Sequence, residues 1–143
     1  MKRIIACLGL AAATAACASP EVALVPVPVI RTQGEPWSVN GAVYTVDWAA
    51  GPGGLEIDVR VDNKGKDRAH FPDPAVTYDG NAVAVSGWTQ PLGGAEVAPG
   101  QLANFRSSSP APRPGGTVRV DVLTYVGSTS ARAHWIGIVG PPP

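Results

Sequence analysis

Histidine, cysteine and phenylalanine number two each in 143 residues, methionine one, and charged residues make up only 15% of the chain. This scarcity excludes several classes of protein. Cys7 and Cys17 both lie near the N-terminus, so no disulfide framework staples the rest of the chain, and its core alone must hold it. A zinc site needs three or four converging N, S or O ligands. His70 and His134, without a cysteine beside them, do not announce one and read as solvated or core histidines. Eleven basic residues balance eleven acidic ones, and no basic stripe marks a nucleic-acid partner. Glutamate is sparse, no Gly-x-Ser-x-Gly elbow surrounds Ser107-Ser108-Ser109, and no glycine-rich phosphate loop opens a helix. No pair of carboxylates is placed for glycosidase work. These lacks point away from an enzyme and from any metal or cofactor. No apolar run reaches the roughly 20 residues of a membrane span.

The N-terminus is the first positive signal. Met1-Lys2-Arg3 is cationic, and Ile4 to Ala16 is uncharged and mostly apolar. That is the n-region and h-region layout of a secretory leader. Thr14-Ala15-Ala16-Cys17 ends it with small residues directly before a cysteine. This resembles the lipobox of bacterial lipoproteins, where cleavage precedes a diacylated cysteine. Thr14 departs from the pattern, which usually carries a branched aliphatic residue there. Cleavage after Ala18 by an ordinary signal peptidase is the alternative, since Ala16-Cys17-Ala18 also fits the small-x-small rule. The resemblance implies a lipid such as palmitate on Cys17, a membrane reached through that lipid, and residence in the cell envelope on its periplasmic or extracellular side. Loss of residues 1–16 removes Lys2 and Arg3, leaving 9 basic against 11 acidic residues, a charge of −2.

Residues 17–34 are a tether by composition. Pro20, Pro26 and Pro28 alternate with valines and exclude helix. Val25 to Ile30 reads equally as extended tether or as an edge strand, where proline is tolerated. From residue 35 to residue 140 the period is two. Asn40-Gly41 signals a tight hairpin turn, and Tyr44, Val46 and Trp48 share the face of the strand that follows. Leu55, Ile57, Val59 and Val61 alternate with Glu56, Asp58, Arg60 and Asp62, the pattern of a sheet with one buried and one wet face. Asp62 to Gly65 ends that strand as a turn. Its oxygens fail the spacing of a calcium loop, and Lys64 and Lys66 repel a cation. A hairpin over Ala75–Tyr78 and Ala82–Val85 is expected about the turn Asp79-Gly80-Asn81, then a glycine-containing loop over Gln90–Gly94. Short strands are expected at Ala95–Val97 and Leu102–Arg106, an exposed loop at Ser107–Gly116, and strands over Val118–Tyr125 and Ala133–Val139. Pro141–Pro143 is a stiff tail. Seven or eight short strands broken by frequent turns predict an all-β antiparallel sandwich.

Two stretches carry a further likeness. Val59-Arg60-Val61-Asp62-Asn63-Lys64-Gly65 is a strand entering an Asn-x-Gly turn. Val97-Ala98-Pro99-Gly100, followed by Phe105, is a corner before a strand with an inward aromatic. Together they resemble bacterial exported proteins with an immunoglobulin-like domain of unknown function. The likeness implies an immunoglobulin-like sandwich and an exported location, and it carries no catalytic residues. The Cys…Trp…Cys pattern of antibody-type domains is missing.

Four tryptophans are the largest apolar side chains. Trp37, Trp48, Trp88 and Trp135 read first as core, from their places in alternating strands. Trp88, beside Gly87 and the Gln90–Gly94 loop, and Trp135 are the two named here as speculative ligand contacts. The functional expectation is a membrane-anchored, non-catalytic binding or accessory module that meets a protein or cell-wall partner. A structural subunit of an envelope or secretion assembly is the alternative, and an enzyme acting on wall polymers ranks third.

Overall fold

Alternation of apolar and polar residues decides the architecture. The computed structural model describes residues 27–51, 54–70, 74–85, 88, 96–110 and 113–140. The leader, Cys17, the Gln90–Gly94 loop and Pro141–Pro143 lie outside the described residues.

Eleven strands and no helix occur among the described residues. They are β1 (Val29–Thr32), β2 (Trp37–Val39), β3 (Ala42–Gly51), β4 (Gly54–Asn63), β5 (Ala69–His70), β6 (Ala75–Tyr78), β7 (Asn81–Ala82), β8 (Glu96–Val97), β9 (Leu102–Ser109), β10 (Thr117–Val126) and β11 (Thr129–Ile138). The excess over seven or eight comes from pieces of two or three residues, too short to show a period. One sheet has the order β2-β3-β4-β9; the other runs β1-β11-β10-β5-β8, with β6 also on β10 and β7 on β6. The long strands pair antiparallel, and β1 lies parallel to β11. The chain crosses between sheets after β1, after β4, and again before and after β9, so strands far apart in sequence become neighbours. The all-β sandwich is therefore the fold.

Of Val25–Ile30, the edge-strand alternative holds for Val29 and Ile30: β1 runs Val29–Thr32 and pairs with Ala133–Ile136, Val27 and Pro28 precede it, and residues 25–26 lie outside the described residues. The sheet thus reaches back past the boundary expected at residue 35. Asn40 and Gly41 both take positive φ, 46° and 86°, the type I′ geometry that matches strand twist. Asp79-Gly80 repeats it at 49° and 82°.

The stretch from Ser107 to Gly116 departs from expectation. Strand β9 continues through Ser107-Ser108-Ser109, and Ser107 and Ser109 are buried. Their composition suggested a loop, but the two-residue period continues, and the Ser109 hydroxyl meets the Tyr78 hydroxyl across the sandwich. A buried hydroxyl with a partner is tolerated where an orphan is not.

Three tryptophans join the sheets without a disulfide. Trp37 packs on Tyr44 at 5.4 Å and edge-on to Trp135 at 5.8 Å between ring centres. The Trp135 indole N–H donates to the Glu35 carbonyl (2.8 Å), and that of Trp48 donates to the Ile138 carbonyl (3.2 Å). A Cβ on Gly137 would stand 2.8 Å from Trp48 Cζ2, so this glycine makes the room into which Trp48 of the opposite sheet fits.

The corner at Asn63 is equally tight. Asn63 is fully buried; its amide N–H₂ donates to the carbonyls of Asp67 and Val97 at 2.8 Å each, and its side-chain oxygen accepts from Gly65 N at 3.0 Å. The turn's centre is thus filled by an amide. Gly65 lies against the Asn40-Gly41 turn, where a Cβ on Gly41 would come within 2.6 Å of Gly65 Cα. A Cβ on Gly65 would in turn overlap the Asn40 carbonyl. Gly65→Ala is therefore expected to lower stability by about 1–3 kcal/mol through overpacking of backbone on backbone, read as a lower urea midpoint with an unchanged slope. A midpoint equal to that of the parent protein would show that the two turns can part freely.

Candidate functional site

Side chains that alternate outward on β10 and β11 form a face where unlike charges and a histidine gather around a hollow. Register sets Asp121 opposite His134, Leu123 opposite Arg132, and Arg119 opposite Ile136. On the other side of β10, Ala75 stands opposite Asp121. Strand β5 stops at His70 and β6 begins at Ala75, so among the described residues Val122 to Thr124 have no ladder partner on that edge. Pro72 and Pro74 fall in this interval of the sequence and have no N–H to offer a ladder. Beside the interruption lies a hollow of about 260 Å³ lined by Ala75, Arg119, Asp121, Leu123, Arg132 and His134.

Asp121 is the hub. One carboxylate oxygen accepts from Arg119 Nη2 (3.0 Å) and Nε (3.2 Å), and the other touches His134 Nδ1. Contact between Nδ1 and a carboxylate requires a proton between them, which leaves Nε2 as the acceptor end of a neutral ring. Burial, and then the Arg119 guanidinium, push the imidazole below its usual pKa. Arg132 differs from Arg119, because no carboxylate or carbonyl among the described residues engages it. With His134 neutral, two guanidiniums face one carboxylate, and the hollow carries one net positive charge.

An Asp–His pair is two-thirds of a nucleophilic hydrolase site. Among the described residues no hydroxyl bonds to His134, and the unengaged Arg132 beside the pair is a group suited to holding an anion.

No family model matches this chain, and no curated protein matches it. Among solved structures it is similar to the secreted serine protease VesC from Vibrio cholerae, at 15% identity and a TM-score of 0.42, over 67% of this chain and 23% of that one. The chain thus spans under a quarter of that protein's length. At this level the likeness assigns no activity.

The residues singled out from sequence scatter. Trp135 is fully buried, so its place as a surface ligand contact is corrected: β11 turns its ring inward, onto Trp37. Trp88 is half-buried against the core with its indole N–H unpartnered. His70 is exposed beside Tyr125 and Glu96, four residues along β10 from the strand position opposite His134. The two histidines therefore do not meet, and no group of three or more metal-ligating side chains gathers among the described residues. Cys17 lies outside them.

Sequence reading missed Arg119, Asp121 and Arg132 as a group. A signal existed. Val126 pairs with Thr129 across Gly127-Ser128, and counting outward from a two-residue turn there sets Asp121 opposite His134. The final strand was instead expected to begin at Ala133, which hid the hairpin.

Proposed function

We propose that this chain is a lipid-anchored protein of the bacterial envelope whose immunoglobulin-like sandwich is a non-catalytic binding or accessory module. The observation that carries the binding role is the hollow on the β10–β11 face. It holds a guanidinium that no described carboxylate or carbonyl engages, over a buried core and next to an Asp–His pair that bonds no hydroxyl among the described residues. The leader ending in Thr14-Ala15-Ala16-Cys17 supports the anchored location. No described helix is long and apolar enough to cross a membrane, and a lipid on Cys17 is the anchor this reading requires.

Cys17→Ser tests the anchor. The parent protein is expected in the membrane fraction and labelled by a palmitate analogue, and the variant unlabelled and released to the soluble fraction. Equal membrane retention of both, without label on either, overturns the anchored reading. In-cell crosslinking from the β10–β11 face tests the module: a specific protein or cell-wall adduct is expected.

The second reading, a structural subunit of an envelope assembly, is favoured by one observation. Strand β1 is an edge of its sheet, with Ile30 57% and Ile138 63% exposed near it. Detergent-extracted protein that migrates as part of a large particle supports the subunit; a lone small monomer supports the module.

A further inference from the structure

We propose that the hollow between Arg132, His134 and Leu123 binds a carboxylate carried on a small apolar group, such as the C-terminal end of a peptide. The proposal rests on reading this face as the module's binding face, and it names the ligand's chemistry.

Charge comes first. Arg119 is committed to Asp121 at 3.0 and 3.2 Å, and Asp121 also holds His134. These three groups form a closed set. Arg132, two residues from His134 on β11, lines the same hollow with its planar fork of donors unengaged, and a guanidinium fork matches a carboxylate with two parallel hydrogen bonds. One surplus positive charge is balanced by one negative charge. A phosphate with nearly two would bring excess charge against the Asp121 carboxylate.

Shape and polarity agree. Leu123 and Ala75 line the same hollow, so the group bearing the carboxylate meets aliphatic surface. Its 260 Å³ is room for a small side chain. His134 also lines the hollow, and the Nε2 of its neutral ring is an acceptor for an N–H, which a peptide has and a simple fatty acid lacks. All the groups sit on paired strands, so the backbone of the site is set before the ligand arrives, and the ordering cost falls mainly on the Arg132 side chain.

The test uses the full chain, extracted from membranes in mild detergent and labelled for NMR. The probes are N-acetyl-alanyl-alanine, the same dipeptide as its C-terminal amide, propionate, and inorganic phosphate. The free-acid dipeptide is expected to shift the Arg132, His134 and Leu123 resonances together. Arg132→Gln is expected to weaken it roughly tenfold or more, since a charge-assisted bidentate contact is lost. Arg132→Lys, which keeps charge but not the fork, is expected to fall between. Arg60→Gln, on the outer face of the other sheet, is expected to bind as the parent does. Tighter binding of the dipeptide than of propionate assigns a peptide end as the source, and the reverse a free acid; both support a carboxylate site. Equal binding of acid and amide, unchanged binding by a folded Arg132→Gln, or preference for phosphate overturns it.

Failure here is separable from failure of the binding-module reading. A specific envelope adduct formed equally by parent and Arg132→Gln sinks the carboxylate site and leaves the module. Probe binding that needs Arg132, with no adduct from either protein, does the reverse.

Discussion

Trp135→Ala is expected to cost about 3–5 kcal/mol of folding stability, the range for removing a fully buried tryptophan. A single domain has only about 5–15 kcal/mol in total, so the variant stands near unfolding at ambient temperature. The reason lies in what the ring holds. Trp135 is completely buried and meets Trp37 edge-on; Trp37 in turn packs on Tyr44 of the opposite sheet's second strand. Its N–H also satisfies the Glu35 carbonyl at the link between β1 and β2. Without a disulfide, this aromatic stack is the nearest thing the sandwich has to a staple. Urea denaturation followed by far-UV circular dichroism is the measurement. Trp135→Phe, which keeps most of the buried area and loses the N–H, is expected to fall between parent and alanine variant. A Trp135→Ala midpoint within about 1 kcal/mol of the parent, well below the cavity range, would remove Trp135 from its structural role.

The second large effect is alkaline. Tyr44 is fully buried, and its hydroxyl meets that of Thr124, which donates onward to the His70 carbonyl at 2.8 Å. Burial pushes the Tyr44 phenol up to about 12, against the smaller opposing pull of the Thr124 hydrogen bond. The unfolded chain gives up this proton near pH 10 while the folded chain retains it. Stability from this group is therefore complete below about pH 10 and is lost as pH climbs through the folded value. Two pH units of displacement correspond to roughly 3 kcal/mol. Denaturation at a series of pH values should show the parent losing that amount between pH 10 and 12, relative to Tyr44→Phe. Parallel stability curves for the two proteins across that interval would place Tyr44 in contact with water and refute the buried relay. The Tyr78 phenol, also raised by burial, titrates in both proteins and cancels in the difference.

Much of the fold is legible in single residues. Leu55, Ile57, Val59 and Val61 announce their buried face because each alternates with a charged neighbour, and all four are fully buried. Asn40-Gly41 and Asp79-Gly80 announce their turns because positive φ is costly for most other residues. Ser107 and Ser109 were illegible for the converse reason. A serine's inward or outward sense depends on whether a partner waits inside, and the Tyr78 hydroxyl that meets Ser109 comes from a strand some thirty residues earlier. Asn63 carries the same ambiguity, since an asparagine at a strand end reads as turn whether its amide faces water or fills a buried corner.

The candidate site was less legible than the fold. Arg119, Asp121, Arg132 and His134 are ordinary outward residues in their own strands. They become a group only through the β10–β11 register and the interruption between β5 and β6.

Local chemistry alone determined the β period, the tight turns, the absence of a disulfide framework and the leader-like N-terminus, because each depends on neighbours within a few residues. Tertiary structure alone decided which strands became neighbours, that Trp135 faces inward, and that one arginine of two beside Asp121 is left unengaged. Pairing between strands far apart in the chain is chosen by the whole core's packing, and no short stretch of sequence records that choice.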